Sequence, residues 1–313
     1  MRHEATNAEI AYHPGVSFVS RFAGALKPEY LYQPRFLLRR LRNSSRHNSG
    51  VTRYVIPGGG AIEAVAEEEH GRILDTLGVV DLPVTEALWR LAAPGEICAD
   101  VGANIGYMTG IFAGRIRRGT IYAFEALPTV FEELQRNVAM LGTRFPDVQI
   151  HAESVAVSSK SGHLSMEMPT GFNTNRGLAK VGESGGLEVA AITLDDAFGE
   201  RSQIGVMKLD VEGHELAVLQ GAEGLFRTRR VRDCVFEEHR AFPTDVTTWF
   251  ETHGYTVLRI ARRLVGPKLI DPRLPYERVS WLPVSLLATA DAKRARQRFA
   301  PLGWSSLAAK SLP

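Results

Sequence analysis

Short apolar runs recur along the chain, each closed by a polar or glycine-bearing turn and followed by helical spacing. "EICADVG" reads as a strand, "YMTGIFAGRI" as a helix and "TIYAFEAL" as a second strand. "PTVFEELQRNVAMLG" is a helix with Pro128 near its first turn and Gly142 just past its end. "VQIHAE" is the third strand, and "VAVSSKSGHLSMEM" has the look of a hairpin about a Ser-Gly turn. A polar, glycine-rich loop, "PTGFNTNRGLAKVGESGG", precedes "LEVAAITLDDAF". "IGVMKLD" is the fourth strand, leading into a helix from about Glu212, and "DCVFEEH" is the fifth. After the helix "TDVTTWFETHG" come "YTVLRI" and "VSLLATA", the sixth and seventh strands. Upstream, "YLYQPRFLLRRLRN" predicts an amphipathic helix after Pro34, and "PGGG" at 57–60 a turn between short strands. Alternating strands and helices imply a mostly parallel sheet covered on both faces. Ligands in such sheets bind beyond the carboxyl ends of the strands.

Composition narrows the class. The 313 residues are 44% hydrophobic and 23% charged, as expected of an ordinary globular protein with ample length for a core. Lys plus Arg is 37 against 35 for Asp plus Glu, so a net of +2 gives no global case for nucleic acid. No stretch reaches the roughly 18 apolar residues of a membrane span. Cys98 and Cys234 fall in predicted strands and read as free core thiols of a reducing compartment. The expectation is a cytoplasmic protein. The first 50 residues are richer in arginine than the rest and form a separate basic segment.

The first strand ends Asp100-Val-Gly102-Ala-Asn104-Ile-Gly106, and the second at Glu125. Gly102 and Gly106 permit a tight turn and a close approach to a ligand, and Asn104 tolerates the left-handed region. An acid at the second strand tip can accept both hydroxyls of a ribose. A dinucleotide site would want Gly-x-Gly-x-x-Gly beneath a pyrophosphate, which Asp100 would repel. S-adenosylmethionine, cationic and free of phosphate, suits this loop better than NAD. Asp100 would face its amino group or bound waters, and Ser154, past the third strand, its adenine.

Together, "ADVGANIGYMTG", "IYAFEALP", "ESVAVSSKSGHLSM", "ITLDDAF", "VMKLDVEGHELAVLQGA" and "VFEEH" resemble the FkbM-type S-adenosylmethionine-dependent methyltransferases over roughly residues 70–290. The resemblance implies a Rossmann-like class I methyltransferase fold, seven strands ordered 3-2-1-4-5-7-6 with the seventh antiparallel. It implies O-methylation of hydroxyls on sugars and natural products. It also implies that Asp100, Gly102, Asn104, Gly106 and Glu125 line the cofactor site.

In that fold the fourth strand neighbours the first, so Asp210 would end beside the methyl group. Asp210, Glu212 and Glu215 read equally as acids at a helix start. On the fifth strand Glu237 and His239 share a face across from Asp210. His239 is the candidate base for an acceptor hydroxyl, and Lys208 reads as an ion-pair partner of Asp210 rather than a base. The alternative is a divalent cation such as Mg held by Asp210, Glu237 and His239. Asn173, Asn175 and Arg176 are candidate sugar contacts in a lid-like loop.

Three segments are expected. Residues 1–50 serve substrate access or oligomerisation, 51–290 form the methyltransferase domain, and 291–313 a tail. The function expected is O-methylation of a saccharide or glycosylated metabolite. A nicotinamide-dependent oxidoreductase and a non-catalytic cofactor-binding scaffold are the alternatives. The expected partner is a small-molecule or oligosaccharide acceptor rather than nucleic acid, with homo-oligomerisation open.

Overall fold

A computed structural model describes residues 27–42, 49–168, 180–182, 186–199, 202–275 and 284–309. Helices α1 (Pro28–Tyr32) and α2 (Pro34–Arg42) precede a hairpin of β1 (Val51–Val55) and β2 (Ala61–Val65), then α3 (Glu69–Leu77) and α4 (Leu82–Leu91). Next come β3 (Ile97–Val101), α5 (Tyr107–Ile116), β4 (Gly119–Phe124), α6 (Pro128–Arg144) and β5 (Val148–Glu153). A second sheet takes β6 (Ala156–Val157), β7 (Gly162–Glu167), β8 (Lys180–Gly182) and β9 (Leu187–Ile192). The chain returns through α7 (Leu194–Phe198), β10 (Ile204–Leu209), α8 (Glu215–Gln220), α9 (Glu223–Arg227) and β11 (Val231–Glu238). It ends with α10 (Asp245–Thr252), β12 (Thr256–Ala261), β13 (Lys268–Ile270), β14 (Val284–Thr289), α11 (Ala292–Phe299) and α12 (Ser305–Ala308).

The main sheet runs β13-β12-β14-β11-β10-β3-β4-β5. From β5 to β12 the strands stand in the expected order 3-2-1-4-5-7-6, with β14 antiparallel to both neighbours. The count differs: β13 adds an eighth strand antiparallel to β12. Its three residues are too short to show a strand period. Side chains alternate between two cores, as pleating requires. Cys98, Val206, Val235 and Leu287 pack on one face of the sheet. Ala99, Met207, Cys234 and Phe236 pack on the other. All six residues of β10 are buried, which explains why the strand is apolar except at Lys208.

Two local expectations change. β6 and β7 do not pair with each other; β9 lies between them, parallel to β6 and antiparallel to β7. The helix expected from Glu212 begins at Glu215 instead. Glu212 and Gly213 have φ of 52° and 93°, which no right-handed helix continues. Asp210 and Glu212 therefore stand in a loop, and Glu215 alone lies in the first helical turn. Among the described residues no helix is long and apolar enough to cross a membrane.

The described C-terminal residues pack onto this body. Trp304 is fully buried. Glu86 on α4 accepts Arg90 Nε at 2.6 Å and the backbone N–H groups of Ser305 and Ser306 at 2.8 and 2.7 Å. Arg90 in turn donates to the carbonyls of Pro301 and Gly303. The C-terminal residues thereby hold α4, whose capping residue Asp81 faces the cleft described below. Glu86→Ala would leave the Arg90 guanidinium buried without its counter-charge. It should cost about 3–5 kcal/mol of stability. Denaturant unfolding checks this, and an unchanged midpoint would contradict it.

Candidate active site

The loop after β3 is shaped by its backbone. Gly102 (φ 75°) and Ala103 donate their N–H groups to the carbonyl of Phe124. A Cβ on Gly102 would run into the Asp210 carbonyl oxygen, so only glycine fits where the tips of β3 and β10 meet. Asn104 takes the left-handed region at φ 50°, its Oδ1 accepting the N–H of Ile105 at 2.8 Å. The Glu125 carboxylate accepts the N–H of Asn104 at one oxygen and that of Leu127 at the other, both at 2.9 Å. Burial pushes the Glu125 pKa up, and these N–H donors oppose it.

Beneath the loop stands Lys208. Its Nζ donates to the Gly102 carbonyl at 2.6 Å and pairs with Asp210 at 3.2 Å and Asp100 at 3.8 Å. Burial alone disfavours its ammonium, but Asp210 and Asp100 outweigh burial and raise its pKa. Asp100 is fully buried and accepts the Thr109 hydroxyl at 2.6 Å. It does not line the cleft, and in this structure its carboxylate supports Lys208 and α5. Gly106 and Ser154 do not reach the wall either. Gly106 caps α5, and Ser154 is exposed beyond β5.

A cleft of about 860 Å³ joins these features. It begins at Gly102, Asn104 and Glu125 and passes over Lys208 and Asp210. It then continues past Glu237 and His239 toward Arg259 and Arg262. Asp210, Glu237 and His239 thus share one space. Glu237 is half-buried against Asp81. Burial, then the charge of Asp81 and the hydrogen bond to it, push the Glu237 carboxyl far above the usual range. His239 is exposed at the mouth. Enclosure in the cleft, then Asp210, Glu215 and Glu69, push Glu212 up to about 7.

His70 and Asp81 are among the wall residues that escape a reading confined to strand ends. His70 enters from α3, where burial and Lys208 push it down to about 4. Asp81 enters from the start of α4, at φ 35° with its carboxylate accepting the N–H of Val84. In "VDLP" at 80–83 the Asp before Leu-Pro announces a helix cap, but nothing local announces that the cap faces a cleft. His214 and Glu215 are tied into the scaffold. His214 Nε2 meets the Ser158 hydroxyl at 2.9 Å, and Glu215 accepts the N–H groups of Val211 and Gly213. Among the described residues no three His, Cys, Asp or Glu side chains form a group that could hold a metal ion. Asp210, Glu237 and His239 share the cleft without forming one. The loop bearing Asn173, Asn175 and Arg176 lies outside the described residues.

The model of the methyltransferase FkbM domain matches residues 100–257, half of the chain. The chain is 34% identical over 183 residues to the hexuronic acid methyltransferase AglP of Haloferax volcanii, covering 58% of this chain and 71% of that protein. It is 30% identical over 200 residues to the 31-O-demethyl-FK506 methyltransferase FkbM of Streptomyces tacrolimicus, covering 53% and 74%. A crystal structure of methyltransferase FkbM from Methylobacillus flagellatus aligns at 17% identity over 63% of this chain and 44% of that one. Its TM-score is 0.38, too low to bear on the site.

The Glu237 carboxyl has a consequence for stability. Its folded pKa is raised, so between the ordinary carboxylate range and that raised value the folded state holds a proton the unfolded state has lost. Stability from this group is therefore full at low pH and falls as pH rises. Glu237→Gln keeps the shape of the protonated acid and removes this dependence. Its gain in Tm over the parent chain should be larger at pH 8 than at pH 5. Equal gains at both pH values would count against a protonated Glu237.

Proposed function

We propose, on the premise that this chain belongs to the FkbM methyltransferase family, that it methylates a hydroxyl of a saccharide or glycosylated metabolite. The protein is an S-adenosylmethionine-dependent methyltransferase. One relative's name specifies a hexuronic acid and another's an O-demethylated natural product, which supports a hydroxylated acceptor. The single observation carrying the proposal is the continuous cleft, which puts the Glu125–Asn104 loop and the acid–base side chains in one space.

The residues present fit the cofactor. Glu125 is 8% exposed on the cleft wall, and each of its oxygens takes one backbone N–H, which leaves lone pairs for a ribose diol. Gly102 and Asn104 bring bare backbone to the cleft beside it. S-adenosylmethionine supplies an electrophilic methyl group on a sulfonium. The chain's task is to hold a hydroxyl in line and remove its proton. Asp210 and Glu237 orient the acceptor as hydrogen-bond acceptors, the Glu237 proton being shared with Asp81. His239, at the mouth, accepts the hydroxyl proton on its ring and releases it to water. A Mg-assisted version is less favoured, because the Lys208 ammonium already flanks Asp210 and would repel a second cation.

The N-terminal segment belongs in this reading at acceptor access. Glu29 on α1 lines the cleft and is paired with Arg262 at 2.6 Å. The near-neutral charge supports a small acceptor over nucleic acid, and the two buried free cysteines support a reducing compartment such as the cytoplasm.

Calorimetry and turnover test the assignment. Glu125→Ala should weaken S-adenosylmethionine binding by roughly tenfold or more, from loss of charge-assisted hydrogen bonds. Unchanged affinity would remove Glu125 from the site. His239→Ala should lower saccharide methylation by roughly 10²–10⁴-fold while cofactor affinity holds. Full turnover in that variant would pass the proton to another group. Glu29→Ala should change the acceptor KM and leave cofactor affinity alone; the reverse pattern would contradict a role for α1 at the acceptor end.

A further inference from the structure

Lys208 touches both halves of the site. Its ammonium reaches three oxygens from two separate parts of the chain: the Gly102 carbonyl, the Asp210 carboxylate and the Asp100 carboxylate. It is only 6% exposed, and the two carboxylates beside it keep it charged, so it is ill placed to remove a proton. Asp210 needs such a partner. Its side chain is 38% exposed at the end of β10, and water would otherwise let it turn freely. Gly102 needs one too, since its carbonyl sits in a left-handed turn at the cleft wall.

We propose that Lys208 is a positioning residue that locks the cofactor loop to Asp210, setting the separation between the cofactor and the acceptor-facing carboxylate. This rests on the proposed function only in taking Asp210 to face the acceptor. Backbone packing already fixes how closely the two strand tips approach, because Gly102 has no room for a Cβ beside Asp210. Packing does not fix the directions of the Gly102 carbonyl and the Asp210 carboxylate. A single cation bonded to both does. Lysine suits the place better than arginine, since a compact ammonium can point its N–H groups at three oxygens lying in different directions.

S-adenosylhomocysteine is the probe, because its uncharged sulfur separates release of the loop from the electrostatic effect of deleting a cation. By calorimetry, Lys208→Met should weaken its binding by about tenfold through loss of the bond to Gly102. Lys208→Cys should show the same loss. Aminoethylation with 2-bromoethylamine rebuilds a lysine-like side chain there and should restore affinity to within about threefold. The wild-type chain should be unaffected by the reagent, because Cys98 and Cys234 are fully buried and do not line the cleft, whereas position 208 does. Adding Asp210→Asn to Lys208→Met should cost little more than Lys208→Met alone, since the lock is already open. If Lys208→Met does not fold, Lys208→Met with Asp100→Asn removes the facing buried charge and carries the same comparison. Affinity within twofold of the parent in these variants would overturn the proposal. So would aminoethylation that restores Tm but not affinity. A wild-type chain inactive on every saccharide would count against the proposed acceptor, and the calorimetric comparison would still decide the role of Lys208.

Discussion

The site depends on the contact between the tips of β3 and β10. The two strands are parallel neighbours, and past their ends the Gly102 backbone lies against the Asp210 carbonyl with no space for a side chain. Everything chemical in the cleft is referred to that contact. On one side the loop runs to Asn104 and is tied to Glu125. On the other, Asp210 opens onto the space shared with Glu237 and His239. A parallel sheet makes such a contact natural, because each strand must end and turn away at the same edge as its neighbour.

The electrostatics follow from crowding at this edge. Asp100, Asp210, Glu125 and Glu237 gather within the influence of one buried ammonium. Burial first, and neighbouring negative charge after it, raises the pKa values of Asp100, Glu125 and Glu237, most strongly where Glu237 meets Asp81. An acidic cleft suits a cationic cofactor. The proton shared between Glu237 and Asp81 leaves carboxyl oxygens in the cleft wall that can accept from a hydroxylated acceptor.

Much of this was legible in the residues because strand tips carry their chemistry locally. The spacing from Gly102 to Glu125 reports two adjacent strand ends, and the alternation of Lys208 and Asp210 reports one face of a strand. Burial depth was not legible. Asp100 is fully buried and does not line the cleft while its neighbour Val101 does, and a linear motif does not separate the two. The helix expected at Glu212 starts later because Glu212 adopts a positive φ, which side-chain type alone does not reveal. His70 and Asp81 come from helices that precede the first strand of the main sheet, so no strand-end rule points to them. Their approach to the cleft is a product of tertiary packing, with α4 held from behind by Glu86, Arg90 and the C-terminal residues.

The central claim is that one cleft holds the cofactor's nucleoside at Glu125 and its sulfur toward Asp210. A crystal structure with S-adenosylhomocysteine bound tests it most directly. The account predicts both ribose hydroxyls on the Glu125 carboxylate, and the sulfur facing the space between Asp210, Glu237 and His239. A nucleoside bound elsewhere, or a sulfur pointing away from Asp210, would contradict it.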